Sequence, residues 1–114
     1  MKLLAHRGYS ALYPENTMEA FLQAYIQGFD GVETDVHLSK DGHLVLIHDE
    51  KINRTSTGKG YVKDMTLDEL KKYNFCYKTN GKYEIPTLEE LLDFIKDKDF
   101  YVNIELKTDV IHYE

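Results

Sequence analysis

Three carboxylates in this 114-residue chain stand where a fold seldom leaves them unpaired. Residues 31–38 alternate, with Val32, Thr34, Val36 and Leu38 on one face and Glu33, Asp35 and His37 on the other, the period-two pattern of a strand. Residues 100–107 alternate again: Val102, Ile104 and Leu106 face one way, and Tyr101, Asn103, Glu105 and Lys107 the other. Parallel strands are covered on both faces, and burying an unpaired carboxylate costs several kcal/mol. Glu33, Asp35 and Glu105 therefore predict a shared cation or a wet cleft. Residues two apart on a strand lie roughly 6.5–7 Å apart along one face, close enough for Glu33 and Asp35 to grip one ion. With Cys76 as the only cysteine, no thiolate cluster or internal disulfide can form within the chain. A carboxylate set favours a hard divalent cation, Mg2+ or Ca2+, over Zn2+.

Imidazoles and basic side chains fall beside this set. Residues 43–48 read as a strand returning antiparallel through the turn Ser39-Lys40-Asp41-Gly42. A two-residue turn places His48 opposite Asp35 and a four-residue turn places it opposite Glu33, with about 5 Å between β-carbons in either case. His6, at the end of a first strand over residues 3–7, supplies a second imidazole. Together with a metal, Arg7 and Lys107 could neutralise the non-bridging oxygens of a phosphate. Imidazoles, with an ordinary pKa of about 6.5, exchange protons with attacking and leaving oxygens at neutral pH. Glycoside hydrolysis also uses a carboxylate pair, but two histidines beside two basic residues suit phosphate better. Glu15 is a further candidate, although its charge also suits the helix N-terminus that follows it.

The elements that must position these groups are legible in outline. Asn16, with Glu19 three residues on, reads as a capping box for a helix carrying Ala20, Phe21, Ala24 and Tyr25 and stopping near Gly28. Residues 50–64 read as a long loop with at most a short strand near Tyr61-Val62. Capping boxes recur at Thr66 with Glu69 and at Thr87 with Glu90, the second helix running to about Asp97. Strand, helix, hairpin, loop with helices, and strand predict an α/β fold with parallel strands.

The motifs His6-Arg7-Gly8, Pro14-Glu15-Asn16-Thr17, Glu33-Thr34-Asp35-Val36, Lys40-Asp41-Gly42, Ile47-His48-Asp49, Arg54-Thr55 with Gly58, and Glu105-Leu106-Lys107 follow one another in this order. Their order and spacing resemble those of the glycerophosphodiester phosphodiesterase family across residues 4–107. The resemblance implies a TIM-like (β/α) barrel that hydrolyses glycerophosphodiesters to an alcohol and glycerol 3-phosphate. Carried onto this sequence, it implies His6 and His48 as the acid/base pair, Glu33, Asp35 and Glu105 as metal ligands, and Arg7 and Lys107 as phosphate contacts. It also implies an insertion after the second barrel strand, which residues 50–83 resemble. Asp49 is left outside the set, as a residue that orients a neighbour.

Such a barrel takes eight strands and typically ~250 residues. Residues 1–114 are thus expected to form a single catalytic-type domain that is a partial barrel, with too little chain to close alone. Open strand edges invite pairing, so the chain is expected to self-associate or to belong with a C-terminal barrel portion. The alternative is a non-catalytic remnant that binds metal or phosphodiester, or folds only with a partner chain.

Fourteen basic residues against twenty acidic ones give a formal charge of −6, which argues against a nucleic-acid partner. A hydrophobic fraction of 42% and a charged fraction of 30% fit a soluble globular domain. There is no run of ~18 apolar residues and the apolar opening is short, so the sequence predicts no transmembrane segment and a cytoplasmic protein.

Overall fold

The computed structural model describes residues 3–76 and 81–106. Its axis is strand β2 (Gly31–Leu38), bounded as its alternation predicts. Strand β1 (Leu4–His6) pairs with β2 in parallel from Leu4↔Gly31 to His6↔Glu33. Strand β4 (Tyr101–Leu106) pairs in parallel from Gly31↔Tyr101 to Val36↔Leu106. Strand β3 (Leu44–Leu46) pairs antiparallel with the far end of β2, from Val36↔Leu46 to Leu38↔Leu44. Because β4 occupies one edge as far as Val36, β1 and β3 share the other edge end to end. Both leave β2 near Thr34, and that seam organises the site.

The hairpin departs from expectation. Ser39 faces His43, with the Ser39 N–H donating to the His43 carbonyl at 2.9 Å, so the connecting loop is three residues long. Gly42 adopts the left-handed conformation at φ 88° and donates to the Ser39 carbonyl, as in a type I turn closed by a glycine bulge. Ser39 Oγ accepts from the His43 N–H and donates to Asp41, fixing this length. An odd loop shifts the register by one, so Ile47, not His48, meets Asp35 through an N–H donated to its carbonyl. The strand also ends at Leu46 instead of reaching His48.

Helix α1 (Met18–Ile26) connects β1 to β2 and buries Ala20, Phe21 and Ala24 at helical spacing. Its N-cap is Thr17, whose hydroxyl accepts from the Ala20 N–H; the expected Asn16 capping box does not form. Asn16 instead sits at φ 55°, a conformation its short polar side chain tolerates, and reaches across to β2. Gly8 (φ 78°) lets the chain after β1 lie against α1, since a β-carbon there would stand 2.7 Å from that of Ala20.

Helix α2 (Leu67–Lys71) and helix α3 (Leu88–Ile95) both carry the predicted capping boxes, at Thr66 with Glu69 and Thr87 with Glu90. Helix α3 stops two residues before Asp97. Near Tyr61 the structure has a single bridge to Lys51 and a 3-10 turn (Val62–Asp64) in place of a strand.

Strand β3 divides the interior in two. Leu46 enters the cluster of Ala5, Phe21, Ala24, Val32, Val36, Leu91 and Phe100 between sheet and helices. Its neighbours Val45 and Ile47 point the other way, into a cluster with Ile52, Val62, Leu70, Phe75 and Ile85 that packs the segment after the hairpin. That segment is thereby anchored to the sheet. Among the described residues, no helix is long and apolar enough to cross a membrane.

Candidate active site

His6 is the last residue of β1 and lies in register with Glu33. Its Nε2 stands 3.0 Å from Glu33 Oε1, an ion-pair contact between imidazole and carboxylate. Arg7 then turns the chain out of the sheet, at φ 57° and with its N–H still donating to the Glu33 carbonyl at 2.7 Å. The turn brings Arg7 Nη1 within 3.1 Å of Glu15 and Nε within 3.6 Å of Asp35.

Asp35 is buried at 1% exposure and faces Glu105 in register on β4. Asn16 Nδ2 stands 3.5 Å from Asp35 Oδ2, while Asn16 Oδ1 accepts from the Thr34 hydroxyl at 2.7 Å. The asparagine expected as a cap therefore clamps two neighbouring residues of β2.

His48 follows β3 on the same edge. The buried His37, on β2, donates Nε2–H to the His48 carbonyl at 2.9 Å, which fixes the backbone there. His48 Nδ1 lies 2.8 Å from Asp49 Oδ1. Arg54 closes on Asp49 with Nε at 2.9 Å and Nη2 at 3.1 Å, and on Glu15 with Nη1 at 2.9 Å and Nη2 at 3.0 Å. Both are two-point pairings of a planar guanidinium with a carboxylate, the strong geometry for such a pair.

The Arg54 hydrogen bonds, aided by His48, hold the Asp49 carboxyl down at about 2 against the opposing effect of burial. Glu15 and then Asp49 push the Arg54 guanidinium up. Asp49 is therefore ionised at neutral pH and accepts only, so Nδ1–H of His48 must be the donor and Nε2 is left for other chemistry.

The structure thus brings His6, Arg7, Glu15, Glu33, Asp35 and His48 around the seam and places Glu105 beside Asp35, with the Glu105 side chain exposed. His48 is not seated opposite Glu33 or Asp35, because of the three-residue loop. Lys107 lies outside the described residues. Oxygen donors at neighbouring positions of two parallel strands suit a hard cation. As placed, Glu33 turns to His6 and Asp35 to Arg7 and Asn16. Among the described residues, no group of three or more His, Cys, Asp or Glu side chains is gathered to hold a metal ion.

Sequence reasoning assigned no role to Arg54, Asn16 and His37 in the site. Arg54 and Asn16 lie within the quoted motifs, but their partners are distant in sequence. His37 carried a signal in its place on the carboxylate face of β2.

Parallel strands with helices between them, and a polar site at the strands' C-terminal ends, define a partial (β/α) barrel. The sequence profile of the Glycerophosphoryl diester phosphodiesterase family matches residues 6–112, and the chain belongs to that family. It is 52% identical to a glycerophosphodiester phosphodiesterase of Caldanaerobacter subterraneus subsp. tengcongensis, over 97% of this chain and 47% of the relative. Its structure is similar to that of a glycerophosphodiester phosphodiesterase from Agrobacterium tumefaciens (TM-score 0.87, 36% identity, 93% of this chain and 46% of the other). It is also similar to an Oleispira antarctica phosphodiesterase in complex with the product sn-glycerol-3-phosphate (TM-score 0.85, 37% identity, 94% of this chain and 44% of the other). The chain spans about half the length of the curated relatives it matches.

Proposed function

We propose that this chain carries the catalytic set for metal-dependent hydrolysis of glycerophosphodiesters to an alcohol and glycerol 3-phosphate. One observation carries the reading: two imidazoles, 3.0 and 2.8 Å from their carboxylates, come from residues on the same edge of β2, and the Arg7 guanidinium reaches Asp35 on that strand. Such a pair serves a displacement at phosphorus in which one oxygen loses a proton as another gains one. One imidazole takes the proton of the attacking hydroxyl, and the other protonates the leaving alkoxide. With Nδ1–H given to Asp49, His48 exchanges its proton through Nε2. His6, whose Nε2 lies 3.0 Å from Glu33, is the second imidazole of the pair.

Arg7 and Lys107 hold the non-bridging oxygens in this proposal. Glu33, Asp35 and Glu105 would hold a divalent cation, Mg2+ or Ca2+, which supplies positive charge to the phosphate. In keeping with the partial barrel, the outer edge of β4 is completed by further barrel strands or by a second copy of the chain. A single cooperatively unfolding monomer at micromolar concentration in sedimentation would refute that part.

The test is phosphate-ester release from glycerophosphocholine by the chain, with added Mg2+ or Ca2+ and with chelator. Release that chelator abolishes is the expected result; no release with either ion refutes catalysis by this chain. The alternative is a role in binding alone. Retention of glycerophosphocholine without turnover would establish that role instead.

A further inference from the structure

We propose that Arg54 is a positioning residue that sets the orientation and tautomer of His48 through Asp49 and, through Glu15, the stance of Arg7. The inference rests on the acid/base role given to His48 above and adds a residue to it. Arg54 belongs to the segment after the hairpin, which packs on its own apolar cluster, whereas Glu15 belongs to the connection between β1 and α1. Its fork is the bond between these two parts of the site. One edge grips Asp49 at 2.9 and 3.1 Å and the other grips Glu15 at 2.9 and 3.0 Å, across 39 residues of sequence.

The consequences follow from donor and acceptor types. Asp49 bonded to His48 alone could rotate about its side-chain torsions and offer either oxygen, or none, to the ring. Held at both oxygens by Arg54, it presents Oδ1 to Nδ1 in one direction, while the His48 carbonyl is held by His37. The imidazole is left with one free nitrogen, Nε2, in one place. Glu15 shares its Oε2 between Arg54 and Arg7, so loss of Arg54 loosens the guanidinium as well. Arg54 is suited to the task because lysine cannot make two parallel hydrogen bonds to each of two carboxylates.

The test reads the ring directly. Side-chain 15N shifts of His48 are measured in the full chain without ligand, at a pH high enough to keep the imidazole neutral. The expected result is the Nδ1–H tautomer in the wild type and a mixture of tautomers in Arg54→Gln and Asp49→Asn. In turnover of glycerophosphocholine, Asp49→Asn lowers kcat at least ~10-fold with little change in KM, whereas Arg54→Gln lowers kcat and raises KM as well. Arg54→Lys, which keeps the charge and loses the fork, is expected to behave as Arg54→Gln does. A wild-type ring without a proton on Nδ1 overturns the proposal by itself, even if no variant folds. So does a pure Nδ1–H tautomer in Arg54→Gln and Arg54→Lys. These spectral outcomes stand apart from the proposed function, because an inactive chain still reports its tautomer.

Discussion

The two imidazoles at the seam each face one carboxylate and are held differently. Each meets one carboxylate at about hydrogen-bond distance, but the His6 side chain is 62% exposed and its partner Glu33 35%, against 35% for His48 and 30% for Asp49. Behind His48 stand Asp49, Arg54, Glu15 and Arg7 in a line of alternating charge, and His37 holds its backbone. Behind His6 stands a strand end whose carbonyl accepts from the Ser10 hydroxyl at 3.0 Å and whose neighbour Arg7 turns out of the sheet, with no arginine on its carboxylate partner among the described residues. One ring is braced through a carboxylate that an arginine grips at both oxygens; the other is the more exposed of the two. In the proposed two-proton reaction this would separate a group of fixed direction from a more exposed one.

The largest expected effect is on turnover. His48→Ala and His6→Ala are each expected to lower it by at least ~10², the ordinary weight of a positioned acid or base. The comparison is sharpened by added imidazole, which should restore more activity to His6→Ala, whose vacated site opens to solvent. Equal rescue of the two variants would show that the bracing has no bearing on access.

The next effect is on stability. Glu15 is 7% exposed at its side chain and takes hydrogen bonds from two guanidinium groups. Removing one partner of a buried charge pair costs ~3–5 kcal/mol, and because Arg54 remains 44% exposed the loss for Glu15→Ala is expected at about 3 kcal/mol. Asn16→Ala should cost about 2 kcal/mol, since it leaves the buried Thr34 hydroxyl without its acceptor and puts alanine in a left-handed conformation. Urea unfolding of the variants checks both. A loss below ~0.5 kcal/mol for Glu15→Ala would show that the bridge is a surface arrangement of no structural weight.

What was legible in the sequence follows the same division. Strand β2 could be bounded from its alternation because one face is apolar against the helices, and α2 and α3 could be started from capping boxes because capping is local. The register of His48 could not, since it turns on a single loop residue whose count is set by the Ser39 hydroxyl. Asn16 and Thr17 are both good N-cap residues, and the choice between them is made by Thr34 and Asp35, 18 and 19 residues away. Arg54 lies in a segment with no periodicity, and its partner Glu15 is separated from it by the whole of α1, β2 and β3. The carboxylates and histidines were legible because strand period and motif placed them; the side chains that brace them belong to no period.

The smallest effect is a pH dependence, and it tests the bracing directly. The Arg54 fork keeps the folded-state Asp49 carboxyl near about 2, below its ordinary 3.8. Between those two values the unfolded chain binds a proton at this position and the folded chain does not. Asp49 therefore contributes stability that is fully present above the ordinary value and is lost as pH falls through about 2. Other carboxylates are lowered as well, Asp41 chiefly by the Ser39 hydroxyl and Glu69 by the Thr66 N–H, so the slope of stability against pH in the wild type alone does not isolate Asp49. The difference between wild type and Asp49→Asn does: the wild type's advantage should shrink across this window and stay constant above pH 5. Arg54→Gln should flatten the same window, because the main cause of the lowered value is then gone. An unchanged slope in Arg54→Gln would mean that the carboxylate beside His48 is held by something other than the arginine, and the two imidazoles would then differ only in exposure.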